Sequence, residues 1–288
     1  MTTLIVRQRL HRTARICAFR ATHASGLVGN TMIKKYILLL LTIVCFFGIV
    51  FLLPSIPQDL NYHQFTDNRK LLFIPNFWNV ISNVPFFFVA ILGFLALYHE
   101  WCKGSLFNWQ ESIPFFTLFT GLFLTGIGSA YYHWLPTNAS LVWDRIPMTI
   151  VFMSLLSMTL MERVSFKIGF WLLFPLILLG IGSVYYWQWT ESLGQGDLRL
   201  YYFVQFYPAA LILVILALFP NPYPPTKAYL LMLLFYGIAK ILEFFDLSIY
   251  HMCFISGHTL KHFAAAISAY YIVIMLNSIE KHTYKKTL

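Results

Sequence analysis

Eight apolar segments, each long enough to cross a bilayer as a helix, restrict how this chain can fold more than any other feature. They lie at residues 36–53, 77–98, 113–133, 144–161, 166–187, 200–219, 227–246 and 257–278. A helix needs roughly 20 residues to cross the hydrocarbon core, where it satisfies its own backbone hydrogen bonds. The segments therefore predict an all-α polytopic membrane bundle.

The composition agrees with a membrane protein and excludes two other classes. Only 11% of the residues are charged, against about 25% in soluble domains. The net charge is +9, but the basic residues are spread over short loops and tails, so no nucleic-acid-binding surface is expected. The cysteines show no C-x-x-C spacing and indicate neither a disulfide framework nor a thiolate zinc site. They are Cys17, Cys45, Cys102 and Cys253.

Lysine and arginine are distributed unevenly between the two sides of the predicted bundle. With a cytosolic N-terminus, 14 of the 20 basic residues lie on the cytosolic side, four on the other side and two within helices. The four are Arg69, Lys70, Arg145 and Arg199, and the two are Lys240 and Lys261. Cytosolic loops are typically enriched in these residues, so both termini are expected in the cytosol.

The chain is expected to comprise four parts. Residues 1–31 form a basic tail with five arginines and no acidic residue. This composition is compatible with a mitochondrial presequence, with a cytosolic tail, or with sequence that lies upstream of a translation start at Met32. The second and third interpretations are preferred to the first. Residues 32–55 form an N-terminal transmembrane helix, because no small-residue cleavage site follows the apolar run. Residues 56–280 hold the remaining seven helices, and 281–288 are a basic cytosolic tail.

Two histidines stand one helical turn apart near the start of the last segment. The run SGHTLKH at 256–262 places His258 and His262 on one helix face, where both can reach a single metal ion. In the predicted topology, His133 and Asp144 reach the same membrane level on the non-cytosolic side, which is periplasmic or lumenal. Hydrogen-bonded interfacial histidines are the alternative, and the convergence of separate elements favours a site.

Three neutral imidazoles with one open position form a common catalytic zinc shell. Zinc lowers the pKa of its bound water toward ~7 and polarises a carbonyl group. Asp144 is the candidate for moving the proton, and Ser129 for donating a hydrogen bond to the water or the oxyanion. The alternatives are an N-cap paired with Arg145 for Asp144, and a back-bonded helical serine for Ser129.

The seventh segment carries ionisable residues of its own. Lys240 and Glu243 are three residues apart, which predicts an intrahelical ion pair. They could also order the outer shell of the site, because charges within a membrane helix are costly unless they serve a function. Neither residue is counted among the candidate site residues.

Four motifs together resemble the alkaline ceramidase family. They are PNFWNVISN at 75–83, IGSAYYH at 127–133, LVWDRIPM at 141–148 and SGHTLKH at 256–262. The family belongs to the CREST superfamily of seven-helix membrane hydrolases, so the segment at 36–53 would be an addition to its core. The resemblance implies that zinc-bound water hydrolyses the ceramide amide bond to a sphingoid base and a fatty acid. It implies zinc ligation by His133, His258 and His262, with Ser129 and Asp144 assisting the water.

The family's calcium site is where this chain departs from the pattern. Eukaryotic members bind calcium through an acidic stretch before the first family helix. Here that stretch has a single acid, Asp67, and Asn76 stands where the pattern has another acid. Calcium collects several oxygen ligands, so Asp67 and Asn76 are only weak candidates. Asp67 could instead pair with Arg69 or cap the next helix.

The leading hypothesis is a zinc-dependent amidase whose ceramide-like substrate enters from the bilayer. One alternative is a lipase or esterase of the same superfamily that acts on another membrane lipid. The other is a non-catalytic receptor that keeps zinc for structure. The sequence leaves the acyl-chain preference and the oligomeric state open.

Overall fold

The computed structural model describes residues 32–102, 109–220 and 224–287, with 279–287 described by backbone alone. This part of the chain is helical and contains no β-strand. Its helices are α1 (Met32–Leu52), α2 (Phe77–Ile81), α3 (Val84–Cys102), α4 (Trp109–Trp134), α5 (Asn138–Arg163), α6 (Phe166–Ser192), α7 (Arg199–Leu218), α8 (Thr226–Phe244), α9 (Asp246–Cys253) and α10 (Gly257–Thr287). The basic tail expected at 1–31 lies outside the described residues.

The chain divides into two compact units, residues 1–48 and 49–288. Among its described residues, the first unit contains most of α1. The second unit contains the end of α1 and all the later helices, together with a 3-10 turn at Leu60–His63. Every candidate site residue lies in this second unit.

The predicted all-α polytopic bundle is confirmed. Within the described ranges, seven spans are long and apolar enough to cross a membrane, and α2 with α3 counts as one of them. The eighth, α8, meets the same criterion only together with α9, which is bent from it by 80°. The eight spans agree with the eight predicted segments to within a few residues at most ends.

The start of α5 differs most from the prediction. The helix begins at Asn138 rather than at 144 because Thr137 and Ser140 form a capping box, in which each side chain bonds the other's backbone N–H at 3.0–3.1 Å. Asp144 therefore lies in the second turn, and its alternative role as an N-cap paired with Arg145 is wrong. Arg145 instead donates to Gln58 at 2.7 Å.

Helices α4 and α5 pack backbone to backbone beside the candidate site. A Cβ atom on Gly128 would overlap the Trp143 carbonyl group, so only glycine permits this approach. Small residues at helix interfaces allow such close packing in membranes, where helix association depends on van der Waals contact. Ser129 and Asp144, the next residue on each helix, are thereby brought together.

Candidate metal centre

The three candidate histidines meet at one end of the bundle. One ring nitrogen from each of His133, His258 and His262 lies within 4.8 Å of the others, and all three side chains are buried. The Nε2 atoms of His133 and His258 are 3.2 Å apart. The ring centroids of the three histidines are separated by 4.8–5.1 Å in each of the three pairs. His133 thus joins two histidines that lie more than 120 positions further along the chain.

The N-terminus of α10 is held by side chains that fix its two histidines. Ser256 is the N-cap, and its Oγ accepts a hydrogen bond from the backbone N–H of Thr259 at 2.9 Å. Asp246 Oδ1 accepts one from the N–H of His258 at 2.8 Å. A Cβ atom on Gly257 would overlap the carbonyl oxygen of Leu242, so glycine is required where α10 begins against α8.

The histidine cluster fits a zinc ion. Three imidazoles are a donor set that zinc takes in catalytic sites, where a fourth position stays open. The buried Nε2 atoms of His133 and His258 face each other at 3.2 Å. A cation between them would satisfy the lone pairs that converge there. His133, His258 and His262 are the residues that would hold the metal.

Ser129 and Asp144 lie beside this cluster on facing helices. Ser129 and Asp144 both line a cavity that His262 also lines. Ser129 is buried, whereas Asp144 is only partly so. A hydroxyl donor and a carboxylate thus face the same space as one imidazole.

A cluster of three charged side chains, Lys240, Glu243 and Lys261, lines the same cavity. The predicted Lys240–Glu243 pair is present, with Nζ and Oε2 at 2.9 Å. Glu243 also forms an ion pair with Lys261 of α10, and the Tyr62 hydroxyl lies 3.5 Å from its Oε1 atom. No sequence pattern predicts the Glu243–Lys261 contact, because it depends on how α8 packs against α10.

The cavity has a volume of about 140 Å³ and is mostly apolar. Its polar end holds Ser129, Asp144 and His262, and its walls continue along the helices to Leu155 and Ile272. Ile272 is ten residues beyond His262 on α10, which corresponds to about 15 Å at the helical rise. Ser129, Asp144 and His262 therefore stand at one end of a long apolar space.

An aromatic side chain from the segment before α2 covers the imidazoles. Phe65 packs against His133 and His258 with ring centroids at 4.7 and 5.5 Å. His63 secures the same segment, because its ring nitrogens hydrogen-bond Tyr132 at 3.0 Å and Asn138 at 2.9 Å. The segment before α2 thereby covers one side of the histidine cluster.

Asp67 and Asn76 do not fit a calcium site. Both Asp67 oxygens are taken by the Arg69 guanidinium, at 2.8 and 2.6 Å, as the alternative interpretation of Asp67 anticipated. This hydrogen bonding raises the pKa of Arg69 above its ordinary value, so the guanidinium stays charged. Arg69 also donates to the Phe254 carbonyl oxygen at 2.7 Å. The side-chain amide of Asn76 donates to the carbonyl oxygen of His133 at 2.8 Å and lies beside that residue.

Comparison with known proteins identifies a family. A family model described as Ceramidase matches residues 69–242, which is more than half of the chain. The matched region includes His133, Ser129 and Asp144 and ends before the last helix. No curated protein matches the chain.

Proposed function

Since this chain belongs to the ceramidase family and is a hydrolase of the ceramide amide bond, we propose that the three-histidine cluster is its zinc centre. The substrate is a ceramide-like lipid, and the products are a sphingoid base and a fatty acid. One observation carries the proposal: three buried imidazoles converge beside a serine and an aspartate at the head of an apolar cavity.

The side chains around the centre can perform the proton transfers of amide hydrolysis. When bound, zinc supplies a Lewis acid that polarises the amide carbonyl and lowers the pKa of a coordinated water toward ~7. Asp144 takes a proton from the attacking water and passes it to the amide nitrogen as the C–N bond breaks. Ser129 donates a hydrogen bond to the developing oxyanion. The acyl carbon keeps the hydroxyl group, and the amine leaves with the proton.

The apolar cavity provides a place for a lipid chain. Helix α8 packs chiefly against α10. The cavity lies between α8 on one side and α5 and α7 on the other. A chain entering from the bilayer between these helices would lie along the apolar walls. Its amide group would then stand beside Ser129, Asp144 and the imidazoles.

The charge distribution supports an orientation for the bundle. Fourteen of the 20 lysines and arginines fall at one end in the eight-span topology, and such an excess is typical of the cytosolic side. Both termini would then be cytosolic. The metal centre would face the periplasm or the lumen of an organelle.

Replacing a histidine of the cluster tests the metal centre. His258→Ala should abolish both the zinc content of the purified protein and amide hydrolysis, because two imidazoles hold zinc weakly. His251→Ala, which removes an exposed histidine outside the cluster, is the matched control and should keep both. Amide hydrolysis retained by His258→Ala would refute the proposal.

Two further measurements separate the remaining possibilities. Asp144→Asn should keep zinc and lose turnover, because the amide cannot accept the water's proton. A receptor that keeps zinc for structure would bind zinc without turnover even in the wild type. Assays against ceramides and phospholipids distinguish an amidase from a lipase or esterase, and turnover of phospholipid alone would contradict the assignment of substrate.

A further inference from the structure

The short helix α2 presents three polar side chains at a spacing of three residues. Asn76 and Ser82 are the N-cap and C-cap residues of α2, and Asn79 lies within it. The side chains of all three contact the helices that carry the histidines. Residues three apart share one helix face. Asn79 and Ser82 are fully buried, so their polar atoms must find partners inside the protein.

Asn76 contacts the helix that carries the first histidine. Its backbone has φ 47° and ψ 42°, a left-handed conformation that asparagine tolerates better than most residues. From there its Nδ2 donates to the His133 carbonyl oxygen at 2.8 Å. That carbonyl belongs to the last turn of α4, where no intrahelical donor remains for it. Asn76 therefore caps the turn that carries His133.

Asn79 contacts the helix that carries the other two histidines. Its Oδ1 accepts hydrogen bonds from the hydroxyl groups of Ser256 at 3.2 Å and Thr259 at 2.9 Å. Its Nδ2 donates to the Asp67 carbonyl oxygen at 3.2 Å, which fixes the orientation of the amide group. Since Ser256 is the N-cap of α10, Asn79 ties α2 to the first turn of that helix.

Ser82 contacts a histidine ring directly. Its Oγ lies 2.7 Å from His262 Nδ1 and 3.1 Å from the backbone carbonyl oxygen of Asn79. A carbonyl oxygen can only accept, so the single hydroxyl proton goes to Asn79. The hydroxyl oxygen then accepts from Nδ1–H of His262. This tautomer leaves the lone pair on Nε2 for the metal.

We propose that this face of α2 is the positioning element of the metal centre. Ser82 sets the tautomer and ring orientation of His262, while Asn76 and Asn79 hold α4 and α10 at the separation that brings the three imidazoles together. The inference rests on the proposed zinc centre. Hydrogen-bond partners behind metal-ligating histidines orient the ring and raise its affinity for the metal, and their loss typically costs about 10- to 100-fold in metal affinity.

Two substitutions of Ser82, compared with a matched control, test the role. Ser82→Ala removes the acceptor, and Ser82→Thr keeps a hydroxyl group. Ser183→Ala is the control, because Ser183 is equally buried and its hydroxyl also donates to the carbonyl three residues before, that of Gly180, but α6 does not reach the centre. Each full-length protein is purified in detergent and measured for zinc affinity by chelator competition. For each protein we would also record the absorption spectrum of the Co²⁺-loaded form and the unfolding temperature of the metal-free form.

Ser82→Ala should lower zinc affinity about 10- to 100-fold and change the Co²⁺ spectrum, with a metal-free unfolding temperature equal to that of Ser183→Ala. Ser82→Thr should restore both metal properties. Wild-type zinc affinity in Ser82→Ala, or a failure of that variant to fold, would overturn the positioning role. If the wild-type protein binds no zinc at all, the proposed function itself fails.

Discussion

Replacing Gly128 with alanine should separate α4 from α5 at the point where they carry Ser129 and Asp144. The new Cβ would lie 2.7 Å from the Trp143 carbonyl carbon and 3.3 Å from the Asp144 nitrogen, and closer still to the carbonyl oxygen. Carbon atoms in contact prefer a separation of about 3.5–4.0 Å. These are backbone atoms that cannot rotate away, so the helices must move apart by roughly 1 Å, the difference from that contact distance.

The magnitude of the effect differs between stability and catalysis. Overpacking typically costs about 1–3 kcal/mol, and the better helix propensity of alanine offsets about 1 kcal/mol of it. A misplacement of about 1 Å at a reacting centre can cost about 100-fold in rate. That corresponds to about 2.7 kcal/mol of transition-state stabilisation. Turnover should therefore suffer more than folding.

The assay compares kcat and the unfolding temperature of Gly128→Ala with those of Gly182→Ala. Gly182 is also inside a helix, but no atom lies within 4 Å of the position of its Cβ. Gly182→Ala should keep wild-type kcat and unfold at the same or a higher temperature, because alanine is the better helix former. Wild-type kcat in Gly128→Ala would refute the view that the backbone contact between α4 and α5 sets the geometry of Ser129 and Asp144.

Three further substitutions probe other parts of the structure. Ala269→Phe narrows the cavity two turns beyond the centre, so the ratio of rates on short-chain to long-chain ceramides should rise; an unchanged ratio would place the chain elsewhere. Glu243→Gln leaves Lys240 and Lys261 without their shared partner. It should lower the free energy of unfolding by about 2 kcal/mol, below the usual range for buried pairs because the side chains are partly exposed; an unchanged denaturation midpoint would contradict this. Thr137→Ala removes the N-cap of α5 and should cost about 1 kcal/mol in the same measurement, whereas no loss would mean that the capping box is not stabilising.

The bundle could be predicted because lipid imposes a simple rule on sequence. Every backbone polar group in the hydrocarbon core must be satisfied within its own helix, so each span appears as an apolar run of predictable length. The paired histidines could be predicted for a similar reason, since a spacing of four places two side chains on one face of a helix. Both signals are local and need no knowledge of how the helices pack.

Errors arose where polar residues extend or interrupt an apolar run. The start of α5 was predicted six residues late, because hydropathy does not detect the capping box of Thr137 and Ser140. The segment at 77–98 was treated as one helix, although Ser82 ends α2 and α3 begins at Val84. The bend after Phe244 and the helix α9 were missed for the same reason.

By itself, the sequence determined the helical class, the spans and the residue types available for chemistry, because hydropathy and helical spacing are properties of neighbouring residues. The topology and the family resemblance also predicted that His133 joins His258 and His262, and the tertiary structure supplied their distances. Only the tertiary structure decided that Glu243 pairs with Lys261 and that Ser82 bonds an imidazole. These contacts join residues on different helices. Their geometry depends on interhelical packing, including the close approach that Gly128 permits, which no local pattern encodes.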